Sequence, residues 1–436
     1  MLAIFKKHFY HLYKQPTLIQ RQVYQPLADG KDVVGLSPTG SGKTVAFLLP
    51  LLAKVVPKAG TQMIIFEPSQ ELAIQTAHVT REWGSLIHIK TLSLTGGANL
   101  RRQKDKLKQH PDVIIGTPGR IQVMAENRKL KMSRLKSVVI DEADDLLHGH
   151  TLSVIRNVLN YGPSRIQLSY FSATDIKILH HLKSWFTKDA ERIDVRGADQ
   201  TRGPVTHGLL RISRRKRNKM LKMLMEVPRF KALVFFDSLK TLNRTYSFFR
   251  HSHIRRVAKL AGYQGQIPRA KAMKGFRRNR VRLLLTTDMA ARGLDIPALP
   301  AVINYDLPRR RREYIHRIGR TGRMGHSGLV INFGDRHDFR DLRHLLTGLH
   351  YHFETIYFYK DQILNRPQLR QQLAKVKSRM AGIKSKIKEH PQKRHVNSNA
   401  FKRKRRPMTK KRRKHRKRKH SKNKGMRHKW AKEDRR

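Results

Sequence analysis

The sequence predicts an α/β protein: two tandem parallel-sheet domains followed by a basic tail. Three observations lead there. Short apolar runs without polar alternation recur between helical patterns, as strands buried on both faces of a parallel sheet require. A Gly-rich irregular stretch, Asp194 to Pro204, divides two such series. Beyond Pro391 apolar residues nearly vanish, so that segment cannot offset its conformational entropy and is expected to be disordered. The 436 residues suffice for two cores. The expected organisation is a first α/β domain over 1–197, a linker over 198–204, a second domain over 205–360, a basic helical extension over 361–390 and a Lys/Arg-rich tail over 391–436.

In chain order, Ile4, Phe5, Phe9, Leu12 and Tyr13 have helical spacing, and Pro16 ends that element. Thr17 caps a second helix. Asp32–Leu36 is an apolar strand, and Val45–Leu52 is helical. Gln62–Glu67, Val113–Gly116 and Ser137–Asp141 read as further strands, with a helix over Ser69–Trp83. In the second half Ala232–Phe236, Val281–Leu285 and Ala301–Tyr305 are strands, His350–Tyr359 is a last strand, and Gln362–Lys388 is a polar basic helix.

The composition points to a polyanionic partner. With 94 Lys+Arg against 31 Asp+Glu the net charge is +63. The last 36 residues hold 21 basic and 2 acidic side chains, which leaves about +44 on the first 400 residues. Nucleic acid is the natural counterpart. No apolar run approaches the roughly 20 residues needed to span a bilayer, and the opening residues lack the order of a secretory signal. A cytoplasmic protein is expected. The absence of cysteine fits this and excludes disulfides and thiol chemistry.

Between the first strand and its helix lies Leu36-Ser-Pro-Thr-Gly-Ser-Gly-Lys-Thr44, the position and composition of a phosphate-binding loop. Thr39, Gly40, Ser41 and Gly42 would cradle phosphate oxygens, Lys43 would add a point charge and the Thr44 hydroxyl would hold Mg2+. The generic pattern has Gly where Ser37 stands. Asp141-Glu142-Ala143-Asp144 ends a strand of the same unit, so its carboxylates reach the same sheet edge. There Asp141 could hold Mg2+, largely through water, and Glu142 could deprotonate a water attacking a γ-phosphate.

With these residues in view, the chain resembles the DEAD-box ATP-dependent RNA helicases over nearly all of residues 13–333, and in layout the bacterial cold-shock type with a basic C-terminal tail. The resemblance implies two RecA-like domains that close on ATP and on single-stranded or short duplex RNA. Gln20 would read the adenine edge and Tyr13 would stack on its face. Pro68, Gly97, Thr117 and Arg120 resemble contacts to the RNA sugar-phosphate strand, as do Thr287 and the segment Gln266–Arg269 with Arg269. Ser172 and Thr174 of Ser172-Ala173-Thr174, with His316, would couple hydrolysis to strand separation. Gln70 stands where the family commonly has Arg, which should weaken RNA binding modestly.

The second domain carries no phosphate loop and would complete the site from across a cleft. In His316-Arg-Ile-Gly-Arg-Thr-Gly-Arg323, Arg320 and Arg323 lie three apart, as if on one helical turn. They resemble arginine fingers, and Asp295 resembles the ribose contact. The runs Arg309–Arg312 and Arg214–Arg217 read as solvated basic faces. The tail would hold RNA by counterion release and could dock ribosomal or RNA-decay proteins. A monomer without membrane attachment is expected. An idle RNA-binding protein, a DNA translocase and a phosphate-loop metabolite kinase are the rival readings. The first is disfavoured by Lys43, Glu142, Arg320 and Arg323, the second by the family motifs, and the third by the second half and the charge.

Overall fold

Alternate residues of each apolar run enter different cores. In the computed structural model, which describes residues 1–389 apart from 202, 292–295, 297–298, 323–324 and 350, Val34, Ile64, Ile114 and Val138 pack on one face of the first sheet. Val33, Ile65, Val113 and Val139 pack on the other. That division is what a strand covered by helices on both sides demands. The strands are β1 (Val33–Leu36), β2 (Met63–Phe66), β3 (Thr91–Leu94), β4 (Val113–Gly116), β5 (Ser137–Ile140), β6 (Gln167–Ser172) and β7 (Glu191–Asp194). Their order is β3-β4-β2-β5-β6-β1-β7, parallel throughout.

The second sheet repeats the scheme. It contains β8 (Val205–Arg211), β9 (Ala232–Phe236), β10 (Val257–Leu260), β11 (Leu283–Thr287), β12 (Ala301–Asn304), β13 (Gly328–Gly334), β14 (Phe353–Tyr359) and β15 (Gln362–Asn365). The order is β10-β11-β9-β12-β13-β8-β14-β15, and only β15 runs antiparallel to its neighbour. Ala232, Val234 and Phe236 of β9 face one core while Leu233 and Phe235 face the other. Both sheets belong to one unit, Met1–Lys375.

The helical extension expected from residue 361 begins later. Lys360 and Asp361 both have positive φ, 45° and 57°, the backbone of a tight hairpin turn, and Gln362–Asn365 pairs with β14. The helix then runs Arg366–Glu389. The expected tail, 391–436, lies outside the described residues. Among the described residues no helix is long and apolar enough to cross a membrane.

Candidate active site

All loops of interest leave the carboxyl ends of parallel strands, and strand order sorts them. Gly97, Thr117 and Pro68 follow β3, β4 and β2, which adjoin at one side of the sheet. Asp141, Ser172 and the loop Ser37–Gly42 lie at the ends of β5, β6 and β1, the next three strands across. One edge therefore holds two neighbouring sets of groups, with strands spaced about 4.8 Å apart.

The loop after β1 is closed by its own side chains. Gly40 and Gly42 adopt φ of 86° and 87°, open to glycine at little cost. The Ser37 and Ser41 hydroxyls share a hydrogen bond of 2.8 Å. Lys43 Nζ donates to the carbonyls of Ser37 and Pro38 at 3.1 and 3.2 Å. Thr44 sits in the first turn of the helix Lys43–Leu52. Gln20 ties this loop to the preceding helix: its Oε1 accepts from the Thr17 N–H at 3.0 Å and its Nε2 donates to the Gly42 carbonyl at 3.2 Å. A Cβ at Gly42 would come within 2.6 Å of that amide. Tyr13 is half-buried, with its ring centroid 5.1 Å from that of Phe9.

The acidic cluster beside the loop is crowded and dry. Asp141 is 4% exposed. Burial and the neighbouring Glu142 charge push its carboxyl up to about 7, against the pull of Lys43. Glu67, at the end of β2, is fully buried, and burial with the Asp141 charge holds it well above the usual carboxylate range. Glu142 occupies left-handed backbone, φ 48° and ψ 52°, and its Oε2 is buried without a hydrogen-bond partner among the described residues. Such backbone costs a non-glycine residue roughly 1–2 kcal/mol.

The second domain closes over this cluster. His316 Nε2 donates to Asp144 Oδ2 at 3.0 Å, and the Thr174 hydroxyl donates to the same oxygen. Ser172 Oγ bonds the Thr174 carbonyl and accepts from the Thr174 N–H, which fixes the turn after β6. Burial alone would raise Asp144, but the bond and charge of His316, with Thr174 and Ser172, outweigh it and hold the carboxyl at about 2. His316 responds in the opposite sense: burial would lower it, and Asp144, Glu142 and Asp145 raise it above its usual value. One ligating atom each of Glu142, Asp144 and His316 lies within 4.8 Å of the others.

Arginines complete the contact, in a geometry that differs from the one expected. The helix Arg311–Ile318 ends before Arg320, and Gly322 turns the chain at φ 68° toward β13. Arg320 therefore lies beyond the helix and not on a helical turn. It is 8% exposed and lines a small cavity with His316, Arg317 and Asp288. Arg323 and Asp295 lie outside the described residues. Gly319, one residue before Arg320, has its α-carbon against the Thr39 side chain of the β1 loop, so closely that any Cβ there would overlap Thr39.

Neither basic run is only a solvated face. Arg312 donates to the Asp144 carbonyl and lies 3.6 Å from Asp145. Arg217 is buried, with Nη1 donating to the Tyr305 carbonyl and to Asp306. Arg317, for which the sequence suggested no role, is 1% exposed and makes a bidentate pair with Asp288 at 2.6 Å for both bonds. It also donates to Asn304 and the Asp306 carbonyl and stacks over Phe235. The only sequence signal for it was its place between His316 and Arg320.

The residues expected to touch RNA are partly committed elsewhere. The Arg120 guanidinium holds the loop after β3, donating to the Ala98 carbonyl and Gln103 Oε1. Gln70 lies against that loop: its amide would stand 3.3 Å from a Cβ at Gly97, which has φ 73°. Arg269, expected as a strand contact, donates to Glu71 Oε1 at 2.7 Å and to the carbonyls of Ala261 and Ala290. It joins the two domains because Glu71, in the first turn of the helix Gln70–Ser85, faces it across the cleft. Pro68 and Thr117 stay partly exposed on the first domain's edge and Thr287 on the second's, at the carboxyl end of β11.

Residues 17–181 match the DEAD/DEAH box helicase family model and residues 215–325 match that of the helicase conserved C-terminal domain. The chain belongs to the DEAD/DEAH box helicase family. A relative of this DEAD/DEAH box chain, the probable ATP-dependent RNA helicase YfmL of Bacillus subtilis, is 36% identical over 321 residues, 73% of this chain and 85% of that protein. The DEAD-box ATP-dependent RNA helicase CshC of Bacillus cereus is 35% identical, covering 73% and 82%. The structure of S. cerevisiae Dbp5 bound to RNA and ADP BeF3 superposes with a TM-score of 0.74 at 27% identity, over 81% of this chain and 93% of that one.

Proposed function

We infer that this chain is an ATP-dependent RNA helicase that couples RNA-stimulated ATP hydrolysis to local unwinding of RNA duplexes or remodelling of RNA–protein complexes. The observation that carries the reading is the single cleft in which the β1 loop and Asp141–Asp144 of one domain meet His316, Gly319 and Arg320 of the other. The oxygen-rich set of Asp141 and Thr44 beside Lys43 suits Mg2+, and the raised Asp141 and unpartnered Glu142 Oε2 are what carboxylates awaiting positive charge would show. When bound with nucleotide, Mg2+ supplies charge neutralisation on the phosphate oxygens.

The chain's own groups then divide the work. Thr39 to Gly42 and Lys43 hold the phosphates, and Gln20 and Tyr13 hold the base. Asp295 contacts the ribose. Glu142 Oε2 accepts the proton of the attacking water. Arg320 and Arg323 stabilise charge building on the γ-phosphate. Ser172, Thr174 and His316 report the state of that site to the domain interface through Asp144. Pro68, Gly97, Thr117, Arg120 and Thr287 grip the RNA backbone, with little sequence preference because no base-reading group is involved. Arg269 would act on RNA through domain closure. The Lys/Arg-rich tail adds salt-sensitive affinity and is where ribosomal or RNA-decay proteins would dock. The protein works as a cytoplasmic monomer.

ATP turnover with and without single-stranded RNA, beside Glu142→Gln, tests the reading. Turnover should rise with RNA and fall at least about 100-fold in the variant. Turnover indifferent to RNA, or a Glu142→Gln protein as fast as its parent, would overturn it.

A further inference from the structure

A second strongly basic surface lies at the opposite edge of the first sheet, where the turns entering β2, β4 and β5 converge. They enclose a cavity of about 750 Å³ whose lining includes Lys58, Arg101, Lys104, Arg128, Lys129 and Lys131. None of these six side chains has an ion pair with a described residue. The one acid in the lining, Asp105, is 3.2 Å from Lys108 and so spends its charge locally. Lys58, His110 and Arg128 hold left-handed backbone, with φ of 62°, 49° and 52°. Three tight turns thus carry basic residues where Gly or Asn would be less strained.

The helix Leu100–Leu107 joins this cavity to the edge that holds Gly97. Arg101, Lys104 and Lys108 follow at i, i+3 and i+7 and line the cavity together. Arg102 and Lys106 line a second trough, of about 1010 Å³, on the other flank, and this trough includes Gly97. Eight residues of helix cover about 12 Å, which matches roughly four nucleotides of helical rise. Six cations without an ion pair among the described residues, open to solvent and continuous with the Gly97 loop, fit a phosphodiester backbone.

We propose that this surface binds the RNA flanking the segment gripped in the cleft, tracking its phosphates along the helix Leu100–Leu107 into the basic cavity. The site lies far from the β1 loop, so it acts on RNA retention and not on the hydrolytic step.

The test uses the full chain and two RNAs, a single-stranded hexamer and the same hexamer continued at either end into a 12-base-pair hairpin. Arg101→Gln, Lys104→Gln, Arg128→Gln and Lys131→Gln combined should weaken the hairpin RNA at least about tenfold and reduce the log–log salt slope by about 3. Hexamer affinity and turnover at saturating RNA should stay within about twofold, which also reports that the variant folds. Lys104→Gln and Lys131→Gln alone should each cost the hairpin RNA about twofold. A control removes equal charge from an exposed face of the second domain, by Arg214→Gln, Arg215→Gln, Lys216→Gln and Lys219→Gln. Equal losses for both RNAs, or an equal loss in the control, would reduce the surface to diffuse attraction and overturn the proposal. Unchanged binding of both RNAs would assign the cavity to an acidic protein partner instead.

Discussion

Gly319 presents its α-carbon to the Thr39 side chain with no room for a methyl group between them. The β1 loop and the second domain touch there through a residue that has no side chain. Gly319→Ala should therefore hold the domains apart while leaving each core intact. RNA-stimulated turnover is expected to fall at least about tenfold with little change in Tm, as a displacement of about 1 Å at a reacting centre costs that much or more. Turnover at the parental rate would mean that closure does not require this contact.

Arg269 and Glu71, 198 positions apart, form an interdomain pair with bonds of 2.7 and 2.5 Å. The side chains are 11% and 26% exposed, so the pair is shielded but not dry. Allowing for solvent, removing either partner should cost about 1–2 kcal/mol. Glu71→Gln should lower RNA affinity about tenfold when a non-hydrolysable nucleotide is present and hardly at all without one, because the pair forms only on closure. Filter binding under both conditions separates this from a direct RNA contact.

The contact between His316 and Asp144 should give closure a pH dependence. Asp145, Glu142, Thr174 and Arg312 also face this pair. His316 has a raised pKa, so its contribution is full below about 6.5 and is lost as pH climbs through the raised value. Asp144, held at about 2, contributes above its ordinary 3.8 and fails only as pH falls toward 2. Between pH 6 and pH 9 nucleotide-dependent RNA affinity should fall several-fold. His316→Gln, which keeps a neutral donor, should flatten that profile. A variant that follows the parental curve would place the titration elsewhere.

Arg317 is the most deeply buried arginine among the described residues of the second domain. Arg317→Lys cannot reproduce the bidentate fork to Asp288 together with the bonds to Asn304 and the Asp306 carbonyl. Breaking such a network should cost about 3 kcal/mol, or roughly 6–12 °C in Tm for a domain of this size. Calorimetry on the whole chain would show it.

The interior strands were legible because Val33–Leu36, Met63–Phe66 and Ser137–Ile140 are apolar on both faces. β3 and β10 were not: each is a sheet edge with half its residues only partly buried, including Thr91 and Lys259, and a four-residue strand of mixed polarity has no distinctive period. The loop, the acidic tetrapeptide and Ser172–Thr174 could be read because each is local in sequence. Asp144 with His316, Thr39 with Gly319 and Glu71 with Arg269 could not, because each pair exists only through the closure of two domains. The helical turn expected at Arg320 was misplaced for a different reason. Two glycines within four residues, Gly319 and Gly322, end the helix where an Arg spacing of three suggested continuation.

Glu142 offers a way to measure what the protein gives up for its chemistry. A side chain on left-handed backbone with a buried oxygen left unpaired is a local loss of stability, and Gly at that position would remove both penalties. Glu142→Gly should therefore melt higher than the parent, by about 2 °C or more, while turning over no ATP. That outcome would set resistance to heat against catalytic competence at this residue, and the size of the melting shift would read how far one is given up for the other.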